Sequence, residues 1–401
     1  YPRKNIYLLD DSSEKKYMVE ADVLGNKFGI KVFRRAVRHG AKAGVINDFL
    51  KCMKEKYIAV FDADQNPMPD FLKKTISILE SDPKIGFVQT PQFYTNIGVS
   101  PISKGAAIQQ SVFYENICES KSASNSMFCC GTNVVFRKKA LKEVGGFDED
   151  SITEDFATSV KIHMKGYKSR YYNHVCAFGM APESLQAYFK QQTRWAAGTI
   201  GVLRKLLKYM ATRPRAMSVY QWWEYFLAAT YYFIGWAFFF LMICPIVYLI
   251  FKVPSFFLKP EIYIATFIPY FLLSALVFYS TMRVRYYTIA QIYYGAVLGL
   301  LSFPVLMKAA VYGLLGRKMK FTVTEKGKAE KMSLLSLWPY MSMIGLNLTA
   351  LGFGYLRLAR GESPYAIGMN MMWVFYHAAL LSGIFIFNSA PVLGRVEPLK
   401  G

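Results

Sequence analysis

Hydrophobic positions fall into two regimes along the chain. As far as about Arg215 they come in short runs of strand length, at Asn5–Asp10, Gly29–Phe33, Tyr57–Asp62 and Ile85–Thr90. Between these runs lie stretches with a helical period, such as Ala43–Lys54 and Asp70–Ser81. Short apolar strands alternating with helices predict a mostly parallel sheet covered on both faces. Ligands of such sheets bind at the carboxyl ends of the strands, where the acidic pairs Asp10-Asp11 and Asp62/Asp64 fall. Beyond Arg215 the runs lengthen. Trp222–Phe251, Ile262–Met282, Ser333–Leu356 and Ala366–Phe387 each approach or exceed the ~20 residues that cross a bilayer. A fifth run, Tyr287–Leu315, is broken at Pro304 and carries Gln291 and Lys308. Arg283 and Arg285 precede it, and Arg317, Lys318, Lys320, Lys326, Lys328 and Lys331 follow it. With both basic loops on the inner side, this run must return to its own side as an interfacial or re-entrant element. The expected division is a soluble domain over 1–215 and a transmembrane domain over 216–401. The latter has spans at about 222–251, 262–282, 333–356 and 366–387, the interfacial element at 287–315 and a basic loop at 316–332.

Composition narrows the class. The 401 residues are 53% hydrophobic, 16% aromatic and only 19% charged, which excludes a disordered or fibrous chain. Lys and Arg (48) outnumber Asp and Glu (27), for a net charge of +21. The basic run Lys31–Lys42, with Arg34, Arg35, Arg38 and His39, lacks the context of a nucleic-acid-binding fold. It is expected on anionic lipid headgroups or substrate phosphate. Cys52, Cys118, Cys129, Cys130, Cys176 and Cys244 have no paired metal spacing and read as reduced thiols of a cytosol-facing protein. His39, His163, His174 and His377 have no ligand spacing and are expected in structural or surface roles. Glu224, near the start of the first span, is expected at the interface or a channel mouth.

Four constellations carry candidate chemistry. Asp62-Ala63-Asp64, on a tight turn after a buried strand, suits a hard divalent cation shared with phosphate oxygens, or else a surface turn with capping aspartates. Asp10-Asp11, followed by Ser12-Ser13, is a nucleotide contact or a helix cap. Thr153-Glu154-Asp155 opens a helix running to about Lys165. A carboxylate there either complements the helix dipole or serves as a general base. Gln191, Arg194 and Trp195 are three and four residues apart and so share a helix face. Arg can grip a diphosphate and Trp can stack on a sugar ring; the alternative is an interfacial anchor on lipid phosphate.

In this order, and ahead of transmembrane helices, the four constellations resemble the membrane-integrated family 2 glycosyltransferases. More narrowly, the chain is similar to the processive polysaccharide synthases, the group of hyaluronan synthase and the bacterial cellulose synthase catalytic subunit. Ala41–Gly44, Gln89–Tyr94, Phe128–Gly131 and Phe321–Lys326 match the same group. The resemblance implies an α/β GT-A (Rossmann-like) cytosolic glycosyltransferase domain followed by an α-helical transmembrane domain with interfacial helices. By the same resemblance, Asp10 or Asp11 (or both) and Lys42 contact uridine diphosphate, and Asp62 and Asp64 hold the diphosphate through Mg²⁺ or Mn²⁺. Asp155 is the general base, Gln191 and Arg194 meet the leaving diphosphate, Trp195 stacks under the acceptor sugar, and Cys130 and Gly131 line the acceptor end. Phe321, Val323, Thr324 and Lys326 belong to a gating loop that closes over nucleotide. A base near the ordinary aspartate pKa of about 3.9 is weak unless burial raises it.

The implied activity is an inverting, processive β-transfer from a UDP-sugar, UDP-glucose first, to a growing polysaccharide that is translocated outward. Membrane lipids are implied partners, with room for accessory export subunits or a homo-oligomer, and nucleic acid is not one. Trp338 and Trp373 are channel candidates. The alternatives are a non-processive transferase acting on a lipid acceptor and a catalytically silent nucleotide-binding membrane subunit. By the family pattern, a first strand and helix and amino-terminal membrane helices should precede Tyr1-Pro2. No carboxyl-terminal cyclic di-GMP domain is expected after Phe387.

Overall fold

The computed structural model describes residues 4–254, 259–316 and 331–389. In the α/β part the elements are β1 (Tyr7–Leu9), α1 (Lys15–Phe28), β2 (Lys31–Phe33), α2 (Ala41–Cys52), β3 (Tyr57–Val60), β4 (Asn66–Pro67), α3 (Phe71–Ser81), β5 (Ile85–Gln89) and β6 (Phe93–Tyr94). Then come α4 (Pro101–Val112), which passes through a π-turn into α5 (Cys118–Ala123), β7 (Val134–Arg137), α6 (Lys138–Glu143), α7 (Glu154–Met164), β8 (Lys168–Tyr171), β9 (Ala177–Gly179) and α8 (Leu185–Thr212). All four strands read from the sequence are present.

The sheet is mixed rather than mostly parallel. Strands run β3-β7-β5-β8, with β7 antiparallel to both neighbours and β5 parallel to β8. β1 and β2 form a separate parallel pair, and β4-β9-β6 a third small sheet. The long α4–α5 excursion returns the chain to the middle of the sheet from the opposite end, so β7 enters reversed. Both faces are covered as expected. Val134 and Phe136 of β7 and Phe87 of β5 point to a core shared with Val45, Ile46 and Phe49 of α2 and Ile162 of α7. Val135 and Val88, one residue out of phase, point to Phe71 and Leu79 of α3. Strands buried on both faces read as continuous apolar runs for this reason.

Asp148, 4% exposed as a side chain, ties α7 to α8 by accepting from Lys161 (2.8 Å) and Lys205 (2.9 Å). Burial alone would raise its pKa, but the two ammonium groups outweigh it and leave the carboxyl at about 2, below its usual 3.8. The stabilisation is therefore complete above pH ~4 and disappears as pH falls through about 2, and the shift corresponds to about 2 kcal/mol. Asp148→Asn is expected to lower the thermal midpoint at pH 7 by about 2–4 °C, with the gap from wild type closing in acid, as read by a thermal melt.

The helical part contains α9 (Val219–Thr230), α10 (Ile234–Phe251), α11 (Pro260–Val284), α12 (Ile289–Leu301), α13 (Phe303–Leu314), α14 (Trp338–Ala359) and α15 (Pro364–Ser389). Among the described residues, four helices are long and apolar enough to cross a membrane: Val219–Phe251, Glu261–Val284, Leu334–Ala359 and Pro364–Asn388. The first, at 33 residues, is longer than a bilayer needs. Its opening turns, α9, pack on the α/β domain instead, with Trp222 and Tyr225 buried against Phe156, Val160 and Leu206 of α7 and α8. Glu224 is accordingly paired with Lys121 at 2.6 Å.

The interrupted run around Pro304 is a bent pair, α12 and α13, with a 48° bend between them. Pro304, at the first turn of α13, has no N–H to continue the α12 ladder. Each half lies against the α/β domain. Gly105 of α4 and Gly295 of α12 let those helices approach so closely that a Cβ on Gly295 would lie 2.8 Å from Ile108. A Cβ on Gly313 of α13 would likewise lie 2.8 Å from the Ala197 carbonyl of α8. Phe321, Val323, Thr324 and Lys326 lie outside the described residues.

Candidate active site

Three elements converge on the turn after β3. Asp62 lies on that turn, its backbone N–H donating to Thr132 Oγ1 (3.0 Å). Lys42, in the first turn of α2, donates from Nζ to Asp62 and to the Gly131 carbonyl, the latter at 2.6 Å. Asp155, in the first turn of α7, accepts at Oδ1 from the Phe156 N–H (2.8 Å). Its other oxygen lies 3.0 Å from the position a Cβ on Gly131 would occupy. Gly131 has a positive φ of +81°, a backbone region open to glycine without penalty. Asp62, Lys42, Gly131 and Asp155, from four separate stretches of sequence, therefore form one cluster.

The electrostatics follow from partial burial of charged groups beside one another. Desolvation raises the pKa of Asp155, opposed but not cancelled by the Phe156 N–H and the Lys42 ammonium. Burial, with the like charge of Asp155 next, also pushes Glu154 up. Burial works to lower the Lys42 pKa, and the surrounding carboxylates, Asp62 and Glu154 foremost, outweigh it and hold the amine charged. This is the elevated proton affinity that an aspartate base near neutral pH requires.

Gln191, Arg194 and Trp195 lie on α8, all partly buried. Gly198, one turn further along the Arg194 face, packs on Thr153 so closely that a Cβ there would sit 2.6 Å from Thr153 Cγ2. The Arg-Trp helix thus abuts the turn that starts the Glu154-Asp155 helix. Gly198→Val is expected to push α7 from α8 and lower turnover at least about tenfold in a UDP-release assay.

Asp10 and Asp11 are held by their own basic partners. Asp10, 8% exposed, accepts from the Ser12 N–H (2.9 Å) and Arg34 (2.6 Å). Its burial would raise its pKa, but the Ser12 and Arg34 hydrogen bonds leave it lowered. Asp11 takes a bidentate grip from Arg35, at 2.9 and 2.7 Å. Arg35 also donates to the Ala41 carbonyl at 3.3 Å, joining this pair to the start of α2 beside Lys42. Arg34 and Arg35 of the basic run are therefore engaged by internal carboxylates, while Lys31 and Arg38 are exposed and Lys42 lies in the cluster around Asp62. His39 sits between Asp48 and Glu149 in the same way, at 2.9 and 2.6 Å. His163 is structural, bonded to Tyr225 and Ser169 and held by burial at a pKa of about 3.

Among the described residues, no three His, Cys, Asp or Glu side chains form a metal cage. The turn offers the two hard carboxylates of Asp62 and Asp64, with an ammonium already resting on Asp62. That donor set fits a divalent ion whose remaining positions are filled by phosphate oxygens. Thr132 and Ser159, which tie this cluster together with Gln89 of the Gln89–Tyr94 stretch, carry no mark of a site residue in the sequence. They are neutral residues whose contacts lie 30 to 70 positions away along the chain.

The site thus sits in a mixed α/β domain, with carboxylates after β3 and at the start of α7, that leads into membrane-length helices. Residues 57–282 match the family described as Glycosyl transferase family group 2. The chain belongs to that family. It is 28% identical over 98% of its length to the UDP-forming cellulose synthase catalytic subunit of Pseudomonas fluorescens strain SBW25, and spans 53% of that protein. It is 40% identical over 40% of its length to a UDP-forming cellulose synthase catalytic subunit of Dictyostelium discoideum, of which it spans 16%. A mannosyltransferase from Pyrobaculum calidifontis, solved with GDP-Man and Mn²⁺, superposes with a TM-score of 0.45 at 16% identity, over 78% of this chain and 79% of that one.

Proposed function

We propose that the protein is an inverting, processive β-glycosyltransferase that polymerises a UDP-sugar, UDP-glucose first, into a polysaccharide and passes it through its membrane helices. The convergence of Asp62, Lys42 and Asp155 around Gly131 carries this reading, because it brings a carboxylate suited to the donor diphosphate and a proton acceptor together at one glycine. Asp155 takes the proton from the acceptor hydroxyl as that oxygen attacks the anomeric carbon. Gln191 and Arg194 face the leaving diphosphate and Trp195 the acceptor ring. Asp62 and Asp64 would hold Mg²⁺ or Mn²⁺, which supplies positive charge for the leaving group when bound. The likeness to UDP-forming relatives supports UDP as the leaving nucleotide. We place the α/β domain and both basic loops on the cytosolic side, with the bent α12–α13 pair lying at the interface, a placement supported by its packing on α4 and α8.

The test uses the full-length protein in nanodiscs, supplied with each common UDP-sugar and Mg²⁺ or Mn²⁺, with UDP release recorded and labelled product sized. A long polymer from one sugar is the expected result. Addition of a single sugar to lipid would make the protein a lipid-acceptor transferase, and absence of turnover with every donor would leave a silent subunit.

A further inference from the structure

Gln89 ends β5 and is fully buried, at 0% exposure, yet it contributes nothing apolar to the core. Its side-chain Oε1 accepts from the Cys130 N–H at 2.9 Å. Its Nε2 donates to the carbonyls of Thr90 (2.9 Å), Thr132 (2.8 Å) and Asn133 (3.2 Å). One amide thus closes the loop Cys129–Asn133 from inside. That loop includes two residues at positive φ, Gly131 at +81° and Asn133 at +55°. A buried backbone loop of this kind is stable only if its polar groups are satisfied, and Gln89 satisfies those at its middle.

The loop is also the junction of the site. Its Cys129 N–H donates to Ser159 Oγ (2.8 Å), and that hydroxyl donates to the Asp155 carbonyl (2.7 Å). Its Gly131 carbonyl accepts from Lys42, and its Thr132 hydroxyl accepts from the Asp62 N–H. The two ends are held differently. Asn133 is also fixed by the Thr90 N–H (3.0 Å) and hydroxyl (3.1 Å), so the end beside Asp62 has anchors besides Gln89. The Cys130 N–H has Gln89 as its bonded partner.

We infer that Gln89 is a positioning residue that holds the Cys130-Gly131 segment at a fixed offset from the Asp62 turn, so that acceptor and donor meet in line. The inference rests on the glycosyl-transfer reading above. A glutamine is required because one group must accept at one end and donate at the other. Methionine of similar length has no donor and only a weak thioether acceptor, and glutamate would turn an acceptor toward three carbonyl oxygens.

The test compares Gln89→Met with wild type in nanodiscs. Turnover is expected to fall about 10–100-fold, the scale of an ångström-level misplacement of reacting groups, while the dissociation constant for UDP with Mn²⁺ stays within about threefold. A residue of purely structural importance would lose binding and turnover together, and that outcome, or unchanged turnover, overturns the inference. If Gln89→Met does not fold, Thr132→Val probes the same loop from its other end. It is expected to raise the Mn²⁺ concentration needed for UDP binding by about tenfold while leaving the folded fraction intact, and an unchanged requirement overturns the inference. A wild-type protein that turns over no UDP-sugar would fail the functional reading by itself. Hydrogen exchange then decides the positioning role: faster exchange in Gln89→Met confined to residues 129–133 upholds it, and exchange spread through β5 and β7 overturns it.

Discussion

Asp155→Asn is expected to reduce glycosyl transfer by about 10²–10⁴-fold while UDP still binds with near wild-type affinity. The substitution keeps the side chain's shape and its acceptor for the Phe156 N–H, so the first turn of α7 has no reason to move. It removes only the capacity to take a proton. Calorimetric titration of UDP with Mn²⁺, beside UDP release from the donor, separates the two effects, and wild-type-like turnover would remove Asp155 from its role. The wild-type pH profile gives an independent check. Desolvation raises the Asp155 pKa, and the base works only when ionised. Turnover is therefore expected to fall on the acid side at a pH above the ordinary aspartate value of about 3.9, with the acid limb absent from the residual activity of Asp155→Asn.

Gly131→Ala is expected to cost the next largest amount of activity, about 10–100-fold, with stability reduced by about 1 kcal/mol. Two effects combine at this position. A φ of +81° is strained for any residue with a Cβ, and the added methyl would lie 3.0 Å from the Asp155 carboxylate. That gap is tight enough that Asp155 or the loop must shift by a few tenths of an ångström. The carboxylate is the group whose placement matters, so turnover should suffer far more than folding. A thermal melt beside the turnover assay distinguishes this from general destabilisation.

Some parts of this arrangement are legible in the sequence and others are hidden, for identifiable reasons. Strands β1, β3 and β5 stand out as apolar runs flanked by polar residues, and β2 as a short one interrupted by Lys31. β7 is equally apolar, but nothing local says that it lies antiparallel between β3 and β5. Hydrophobic patterning specifies burial and not direction, which is why a mostly parallel sheet is the natural expectation. Asp62, Asp155 and Arg194 announce themselves through short local patterns, Asp62-Ala63-Asp64, Thr153-Glu154-Asp155 and Gln191 to Trp195 on one helix face. Thr132 and Ser159 do not, and Gln89 shows only as the first residue of the Gln89–Tyr94 stretch, since a neutral side chain reveals its purpose only through distant partners. Arg34 and Arg35 are hidden in another way. A dense basic run suggests an anionic surface, yet each arginine is matched to an aspartate 24 residues earlier.

Helix α8 has a practical meaning for anyone who wants the catalytic unit alone. At 28 residues, about 42 Å, it carries Gln191–Trp195 and is sheathed along its length by parts of the membrane-side sequence. Ala196 and Ala197 are covered by Leu306 and Ala309 of α13, while Leu203 and Leu206 share a core with Trp222 and Tyr225 of α9. Cutting the chain where its composition changes, near Arg215, would strip both coverings and bare a greasy stripe down the helix that carries the Arg-Trp motif. Such a fragment should aggregate, and biochemical work on the reaction is better done with the lipid-embedded whole.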